Sequence, residues 1–273
     1  MKVKLLVLSL ILLICLKVST SLANNSTFIS YVNQNKQNPT DYLMGKLRDN
    51  DVILLGERHN QGHQLEMVNS FIQRMSKEHP SIILALEIST DEQNRVDYFL
   101  ETGTGLEEIK FPSHLSSTLY KDLLITARES GVKVLAIDMP PRVFKHTKIT
   151  RDEYMANTLI SEIEETNKAY KIFALVGSIH TIKAPIEWLT ADNSYKYLGL
   201  LLNKKNPKLK VSSIYQEINK PDSDIDKSLS NFEECIACNI GEPFSLYEGS
   251  SLRLLNCKPI NIPQAFDGVI YHH

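Results

Sequence analysis

One stretch of the chain reads VILLGERH at residues 52–59, and a second reads IFALVGSIH at residues 172–180. Each is a short apolar run that ends at a glycine, and a histidine follows that glycine by three residues. Such runs, rich in branched side chains, are typical of parallel strands buried on both faces. The glycine lets the backbone turn sharply, so the histidine lies beyond the carboxyl end of the strand, where open α/β sheets bind ligands. The two Gly-x-x-His motifs therefore predict a parallel sheet with a site at its carboxyl edge.

Further apolar runs predict the other strands of this sheet, at residues 82–86, 132–137, 211–218 and 268–271. Helical spacing of apolar residues and two capping boxes predict helices over residues 63–77 and 115–129, around 186–189, and from Thr90 and Thr150 onward. Residues 219–245 are polar and are expected to form a loop. The alternation of strands and helices predicts a three-layer α/β/α fold with a mainly parallel central sheet.

The first residues have the features of a secretory signal peptide. Lys2 and Lys4 precede an apolar stretch from Leu5 to Leu16, and small residues follow at the spacing of a cleavage site that ends at Ala23. We expect residues 1–23 to be the signal peptide and residues 24–273 to form a single exported domain, periplasmic or secreted. An uncleaved anchor is the alternative, although the stretch is shorter than the roughly 20 residues that span a bilayer. Any membrane association would then involve the N-terminus only.

Composition narrows the class of partner. The chain has 273 residues and a formal net charge of -2, which fits one globular domain and argues against a nucleic-acid-binding surface. The expected partner is a small-molecule ligand or substrate bound at the carboxyl edge of the sheet.

Three cysteines remain after cleavage at Ala23: Cys235, Cys238 and Cys257. Exported proteins fold in an oxidising environment, so we expect one structural disulfide and one leftover thiol among them. The Cys-x-x-Cys spacing of the first two is also that of a redox pair or of half a zinc site. Both alternatives have less support, because the motif lies in a polar loop near the C-terminus and no second local pair accompanies it.

The predicted strand ends bring acidic, basic and imidazole side chains to one edge of the sheet. They are Glu57 and His59 after the first strand, Glu87 after the second, Asp138 after the third and His180 after the fourth, with Arg58, His63 and Arg151 nearby. Such a set can perform acid–base hydrolysis, in which a carboxylate orients a histidine that activates water. It can also hold a divalent metal ion through His59 and His180, or bind an anionic ligand, such as the propionates of a porphyrin, through its arginines.

Taken singly, these residues have structural explanations. Asp138 can begin the turn at the two prolines that follow, and Arg151 can form a surface salt bridge. Glu87 differs, because it closes a wholly apolar strand and a buried carboxylate needs a partner. The shared position at strand ends favours a functional site made of Glu57, His59, Glu87, Arg151 and His180. Three histidines in polar surroundings are given no role: His79, His114 and His146.

Four motifs, in this order along the chain, resemble those of the superfamily that joins ChaN-like haem-binding proteins, erythromycin esterases and TraB/Tiki proteins. They are Leu54-Leu55-Gly56-Glu57-Arg58-His59, Ala85-Leu86-Glu87, Arg151-Asp152-Glu153-Tyr154-Met155-Ala156 and Val176-Gly177-Ser178-Ile179-His180. The resemblance extends from about Asp51 to Leu189. The length of the chain, its export signal and the residues of its motifs are most similar to those of the ChaN branch.

The resemblance implies two main functions. ChaN-like proteins are exported and bind haem, with a tyrosine as the iron ligand at a dimer interface. Our first expectation is therefore haem or iron binding in haem uptake by a homodimer, with Arg58 and His63 in contact with the cofactor. Esterase-like members hydrolyse through glutamates and histidines, and Tiki-like members are metal-dependent peptidases. An ester or peptide hydrolase that uses the five strand-end residues is therefore the alternative, and a member that serves only as a binding module is the third.

Overall fold

The computed structural model describes residues 26–79, 81–167, 169–187, 194–218, 232–246, 251–252, 257–258 and 260–272. The strands in these ranges are β1 (Val52–Glu57), β2 (Ile82–Ser89), β3 (Lys133–Asp138), β4 (Lys171–Gly177), β5 (Ile186–Glu187), β6 (Ser194–Tyr195), β7 (Val211–Ile218), β8 (Ile236–Asn239), β9 (Ser251–Leu252), β10 (Ile260–Asn261) and β11 (Gly268–His272). Seven of them form one sheet in the order β3-β2-β4-β1-β7-β11-β8. Neighbours in this sheet are parallel, except that β8 runs antiparallel to β11.

A helical segment covers residues 26–35. The helices that follow are α1 (Pro39–Asp49), α2 (Gly62–Glu78), α3 (Gln93–Thr102), α4 (Ser117–Glu129), α5 (Pro141–Phe144), α6 (Arg151–Glu165), α7 (Leu198–Lys205), α8 (Pro243–Leu246) and α9 (Ile262–Ala265). Short 3₁₀ turns cover Thr90–Glu92, Leu106–Glu108 and Ser178–Thr181.

The central strands are buried on both faces, which is why they are uniformly apolar. Along β1, Ile53 and Leu55 belong to a core that also contains side chains of α1 to α4. Val52 and Leu54 belong to a second core on the opposite face, together with side chains of α6 and α7. The three-layer α/β/α fold with a mainly parallel sheet is therefore confirmed.

The six predicted strands are present and become β1, β2, β3, β4, β7 and β11. The predicted helices over residues 63–77 and 115–129 correspond to α2 and α4. The capping box at Thr150 is confirmed in its essential contact, because Oγ1 of Thr150 accepts a hydrogen bond of 3.1 Å from the backbone N–H of Glu153. Helix α6 begins at the next residue, Arg151.

The capping box at Thr90 is wrong. A 3₁₀ turn follows β2 there, and the hydroxyl of Thr90 bonds with the hydroxyl of Tyr154 instead of capping a helix. The side chain of Gln93 bonds with the backbone of β3, where it donates to the Val134 carbonyl and accepts from the Ala136 N–H. Because β3 is an edge strand of the sheet, its outer backbone groups have no neighbouring strand and bind the Gln93 amide, which is then not available to cap a helix.

Two other local predictions are corrected near the C-terminus. The helix expected around residues 186–189 is replaced at Ile186–Glu187 by a strand that pairs with Ser194–Tyr195. The loop expected over residues 219–245 contains β8 and part of α8 where it is described. Strand β8 has only four residues. It is extended because it pairs with β11, and its own composition does not predict a strand.

The predicted signal peptide over residues 1–23 lies outside the described residues. In the described ranges, no helix has both the length and the apolar character needed to cross a membrane. The assignment of residues 24–273 to one domain stays a prediction.

The expected disulfide is wrong, because none of the three described cysteines is in one. Cys235 directly precedes β8 and Cys238 lies within it, so three steps of extended backbone, roughly 10 Å, separate their Cα atoms. A disulfide needs less than about 7 Å. Side chains at this spacing also point to opposite faces of a strand. The Cys-x-x-Cys spacing therefore forms neither a disulfide nor a redox pair here.

Candidate functional site

The first Gly-x-x-His motif ends β1 with a carboxylate–imidazole pair. Glu57 is 2% exposed, and its Oε1 lies 2.7 Å from Nδ1 of His59. The hydroxyl of Tyr120, on α4, donates to the same oxygen. A carboxylate only accepts hydrogen bonds, so the neutral imidazole of His59 carries its proton on Nδ1 and keeps Nε2 as the acceptor. Glu57 thereby fixes the orientation and the tautomer of His59.

The second motif repeats this pair with a carboxylate from another element. His180 lies in the 3₁₀ turn after β4, and its Nδ1 is 2.7 Å from Oδ1 of Asp152 in the first turn of α6. Asp152 is 1% exposed and also accepts hydrogen bonds from the Leu198 N–H and the Tyr195 hydroxyl. His180 is therefore held in the same tautomer as His59.

The two glycines let the motifs approach each other across β1 and β4. A Cβ on Gly56 would lie 2.8 Å from Cα of Ser178, in the second motif. A Cβ on Gly177 would lie 3.0 Å from Nε2 of His59, in the first motif. Each glycine thus makes room for the other motif, which is a physical reason for the repeated pattern.

Glu87 lies between the two histidines. It is 0% exposed, and its Oε2 accepts a hydrogen bond of 2.7 Å from the Gly177 N–H. Nε2 of His180 is 3.3 Å from Oε1 of Glu87, and Nε2 of His59 is 4.0 Å from Oε2. Both imidazoles therefore direct Nε2 toward one buried carboxylate. Arg151 Nη2 donates to Oε1 of Glu87 at 2.9 Å, which supplies the partner that this carboxylate needs.

Asp138 completes the ion-pair network. Its two oxygens accept hydrogen bonds of 2.5 and 3.0 Å from Nε and Nη2 of Arg151. A cation is unfavourable at a helix N-terminus, and the two carboxylates Asp138 and Glu87 compensate for that position of Arg151. The guanidinium also lies against His180, with 3.3 Å between Nη1 and Nε2. Arg151 is therefore part of the site and does not form a surface salt bridge.

The carboxylates raise the pKa of both histidines. The hydrogen bond with Glu57 raises the pKa of His59, the charges of Glu57 and Glu87 add to it, and burial opposes it. Burial lowers the pKa of His180, but the hydrogen bond with Asp152 and the charge of Glu87 outweigh it, so the net pKa is raised. Imidazoles titrating near or above their usual range transfer protons efficiently around neutral pH.

His114, which was given no role from the sequence, lies beside His59 with 4.8 Å between the ring centroids. One potential ligand atom from each of His59, Glu87 and His114 lies within 4.8 Å of the others. Two imidazoles and a carboxylate are a ligand set of catalytic zinc sites. The predicted metal pair of His59 and His180 differs from this group. His180 lies at the other oxygen of Glu87, next to the cation of Arg151.

Arg58 and His63 were predicted to contact a cofactor. The backbone N–H of Arg58 donates to Oε1 of Gln64 at 2.9 Å. His63 is exposed at the start of α2, and its ring lies 5.1 Å from the ring of His272 on β11. His63 is thus directed toward the strands beyond β1, and the cofactor role of both residues stays a prediction.

Sequence reasoning missed three members of the site, His114, Tyr120 and Asp152. It placed Asp138 at the same edge of the sheet but left it out of the five-residue site. Asp138 carried the same signal as Glu87, an acid at the end of an apolar strand, and only the prolines after it suggested a turn. Tyr120 lies on the apolar face of an amphipathic helix, where a tyrosine resembles an ordinary core residue. No local signal marked His114.

Comparison with known proteins gives a match to one family model and several solved structures with a similar fold. The family model described as haem-binding uptake, Tiki superfamily, ChaN matches residues 43–148. No curated protein matches the chain significantly. An erythromycin esterase, EreC, in its open conformation aligns with a TM-score of 0.63 at 12% identity, over 85% of this chain and 92% of the esterase chain.

Two further solved structures are similar. A protein named for succinoglycan biosynthesis aligns with a TM-score of 0.65 at 9% identity, over 90% of this chain and 96% of its own. ChaN of Campylobacter jejuni with cofacial haem aligns with a TM-score of 0.47 at 16% identity, over 87% of this chain and 93% of its own. At such identities structural likeness concerns the fold alone. Residues 43–148 match the ChaN and Tiki-superfamily model, and the chain shares the fold of erythromycin esterase, so the predicted resemblance is confirmed.

Proposed function

We propose that the crevice at the carboxyl edge of the sheet hydrolyses ester or peptide bonds of a small-molecule substrate. One observation carries the proposal: two histidines, each held at Nδ1 by a buried carboxylate, direct Nε2 toward the same glutamate. This arrangement places two oriented proton-transfer groups on either side of a fixed negative charge. A purely structural histidine has no need of such convergence.

His59 is the general base in this proposal. Its side chain is 29% exposed, whereas that of His180 is 10% exposed, so His59 is the imidazole that a water or substrate reaches first. The 4.0 Å between Nε2 of His59 and Oε2 of Glu87 is too long for a direct hydrogen bond. A water there can donate to Nε2 and attack the substrate carbonyl, while Glu57 and Glu87 stabilise the imidazolium that forms.

His180 and Arg151 act on the other side of Glu87. The raised pKa of His180 keeps its proton available for the leaving group, and Asp152 holds it in position. Arg151 positions the charge of Glu87 and limits its repulsion of an oxyanion. The buried Oε2 of Glu57 has no hydrogen-bond partner among the described residues, which is consistent with a polar group of water or substrate at this point.

The donor set also fits a divalent metal ion. His59, Glu87 and His114 would hold it, and a bound ion would polarise the substrate carbonyl and lower the pKa of water. Glu87 would then keep its contact with Arg151 through the other oxygen. Metal-assisted and metal-free hydrolysis are separated by assaying the protein with and without a chelator.

The experiment that tests the proposal is a screen of ester and peptide substrates against the purified chain from residue 24 onward, followed by substitution. His59→Ala is expected to lower kcat by about 10²–10⁴-fold. The matched control is His146→Ala, which replaces an exposed histidine and should leave kcat unchanged. Turnover that survives His59→Ala unchanged would overturn the proposal.

Haem binding is the second candidate, and the match of residues 43–148 to a haem-binding family favours it. The described site fits haem only in part. The hydroxyls of Tyr120 and Tyr154 are engaged with Glu57 and Thr90, so neither is free as an iron ligand. The imidazoles of His59 and His114 offer nitrogen donors at the mouth of the crevice instead.

A haem titration of the purified protein tests this candidate. A saturable, stoichiometric Soret shift would support haem uptake, and a dimer that forms with it would support the homodimer expected of the ChaN branch. A featureless titration would remove haem from consideration. Loss of the shift in His59→Ala and His114→Ala, but not in His146→Ala, would assign the iron to the crevice.

We also propose that the protein is exported after cleavage at Ala23. The charged start, the apolar stretch and the small residues before the cleavage point support this assignment. The N-terminal mass of the protein recovered outside the cytoplasm tests it. A mature chain beginning at Asn24 is expected, whereas retention of residues 1–23 would indicate an anchor.

A further inference from the structure

A second cluster of polar side chains lies at the same edge of the sheet, beyond β1. In the antiparallel pair of β8 and β11, Ile236 faces Tyr271, so the next residues, Cys235 and His272, are also neighbours. Sγ of Cys235 lies 3.8 Å from Nδ1 of His272. Cys235 is exposed, whereas His272 is 1% exposed. An accessible thiol therefore meets a buried imidazole.

Gln216 fixes the other side of this imidazole. Its Oε1 lies 2.7 Å from Nε2 of His272, and an amide oxygen only accepts, so Nε2 carries the proton. The lone pair of His272 is then on Nδ1, facing the sulfur of Cys235. Metal-binding histidines are commonly oriented in this way, by a hydrogen bond to the nitrogen that does not bind the metal.

His63 supplies a second imidazole. Its ring lies 5.1 Å from that of His272 at an interplanar angle of 63°. Because His63 is exposed in the first turn of α2, its side chain can rotate without displacing core residues. Rotation of this side chain would bring a second imidazole toward the pair of His272 and Cys235.

The distance between Sγ of Cys235 and Nδ1 of His272 fits two ligands of a tetrahedral ion better than a hydrogen-bonded pair. With Zn–S near 2.3 Å and Zn–N near 2.0 Å, two tetrahedral ligands lie about 3.5 Å apart. The 3.8 Å between Cys235 and His272 is close to that value and long for a strong thiol hydrogen bond.

The side chain of Gln216 is fully buried, and its Nε2 has no hydrogen-bond partner among the described residues. A buried amide donor without an acceptor is costly. The orientation of this amide is therefore set by its hydrogen bond with His272, which supports the role of Gln216 in orienting that imidazole.

We propose that Cys235, His272 and His63 form a binding site for zinc or a similar thiolate-binding cation, with Gln216 as the positioning residue. The site is separate from the crevice group of His59, Glu87 and His114, and it does not depend on hydrolysis or haem binding. Binding releases the proton of Cys235 and leaves the fourth position to water.

Cobalt(II) is the probe, because thiolate coordination gives an intense charge-transfer absorption that the oxygen and nitrogen donors of the crevice cannot give. The reduced, metal-free protein from residue 24 onward is titrated with Co²⁺ and then with Zn²⁺. We expect one equivalent of Co²⁺ to produce the band and Zn²⁺ to displace it. Zn²⁺ should also protect Cys235 from a thiol reagent.

The variants identify the ligands. Cys235→Ser, at an exposed position, should abolish the band, and His63→Ala should weaken Co²⁺ affinity at least tenfold. Gln216→Met should weaken it by about 10–100-fold without removing the band. The matched controls Cys257→Ser and His146→Ala should leave it unchanged. Absence of the band in the wild-type protein, or its persistence in Cys235→Ser, would overturn the proposal.

Discussion

The two motif glycines meet different neighbours, and this difference is testable. Gly56 faces the backbone of Ser178, which cannot move without shifting β4, whereas Gly177 faces the ring of His59, which can. We expect Gly56→Ala to lower the free energy of unfolding by about 1–3 kcal/mol. Gly177→Ala should cost less stability but displace His59 and lower activity. Thermal melting and turnover check this.

Gly62→Ala is the control for this pair, because no atom lies within 4 Å of a Cβ at that position. It should leave both stability and turnover near the wild-type values. Equal destabilisation by Gly56→Ala and Gly177→Ala would contradict the assigned contacts.

The pKa of His59 should set the acidic limb of the pH–rate profile. Its raised pKa comes first from the hydrogen bond with Glu57, and a base acts only when deprotonated. Glu57→Gln removes the charge, so the pKa of His59 should fall and the limb should move to lower pH, with a lower maximal rate. A limb that stays in place would assign it to another group. Glu66→Gln, on the exposed face of α2, is the matched control.

Residue types at strand ends were predictable, but their partners were not. Glu87 could be identified because a carboxylate in an apolar strand needs compensation. Asp152 orients His180 from a helix 28 residues earlier in the chain, and His114 reaches His59 from a loop. Such contacts depend on how elements pack, which one sequence does not encode locally.

At the scale of elements, helix α6 connects stability with the site. Its N-cap Thr150 holds the first turn, and that turn contains Arg151 and Asp152. Thr150→Ala should cost about 1 kcal/mol, or about 2–4 °C in Tm for a domain of this size. Activity should fall as well, because a frayed first turn no longer holds the side chains of Arg151 and Asp152 in place.

Thr166→Ala, at the other end of α6, is the matched control. Its hydroxyl donates to the Glu162 carbonyl, far along the helix from Arg151. The loss of one hydrogen bond should lower Tm slightly, but the activity of the folded protein should not change. An equal loss of activity in both variants would show that the cap has no special role.

The errors in predicting elements share a cause. The cap expected at Thr90 failed because Gln93 binds the edge strand β3, and helix α3 begins at Gln93 instead. Strand β8 was missed because its strand character comes from pairing with β11. Both outcomes depend on residues far away in sequence. The strongly apolar strands and the longer amphipathic helices carry their own signal, so they were predicted.

For the whole molecule, the sheet order brings the site together. Glu57 and Glu87 end strands β1 and β2, which are separated in the sheet by β4, and β4 leads to His180. The sequence predicted that these residues share the carboxyl edge, since parallel strands end on one side. It did not predict that β4 lies between β1 and β2, because strand order depends on crossover connections.

The last prediction concerns the acid stability of the molecule, measured without metal. The pKa of His272 is lowered from 6.5 to about 4, first by burial and then by His63. In that interval the unfolded state binds a proton that the folded state does not, so stability falls as the pH falls. At about 1.4 kcal/mol per pH unit, His272 contributes about 3 kcal/mol of this loss.

Replacing His272 removes that proton from both states. In the presence of a chelator, His272→Gln should therefore flatten the fall in unfolding free energy between pH 6.5 and about 4, even if the variant is less stable at neutral pH. The slope, and not the absolute stability, is the readout, so a loss of packing does not imitate the effect. His146→Gln should retain the wild-type slope because its side chain is exposed. If His272→Gln loses stability as steeply as the wild type, other buried groups control acid unfolding, and His272 is protonated in the folded protein at mildly acidic pH.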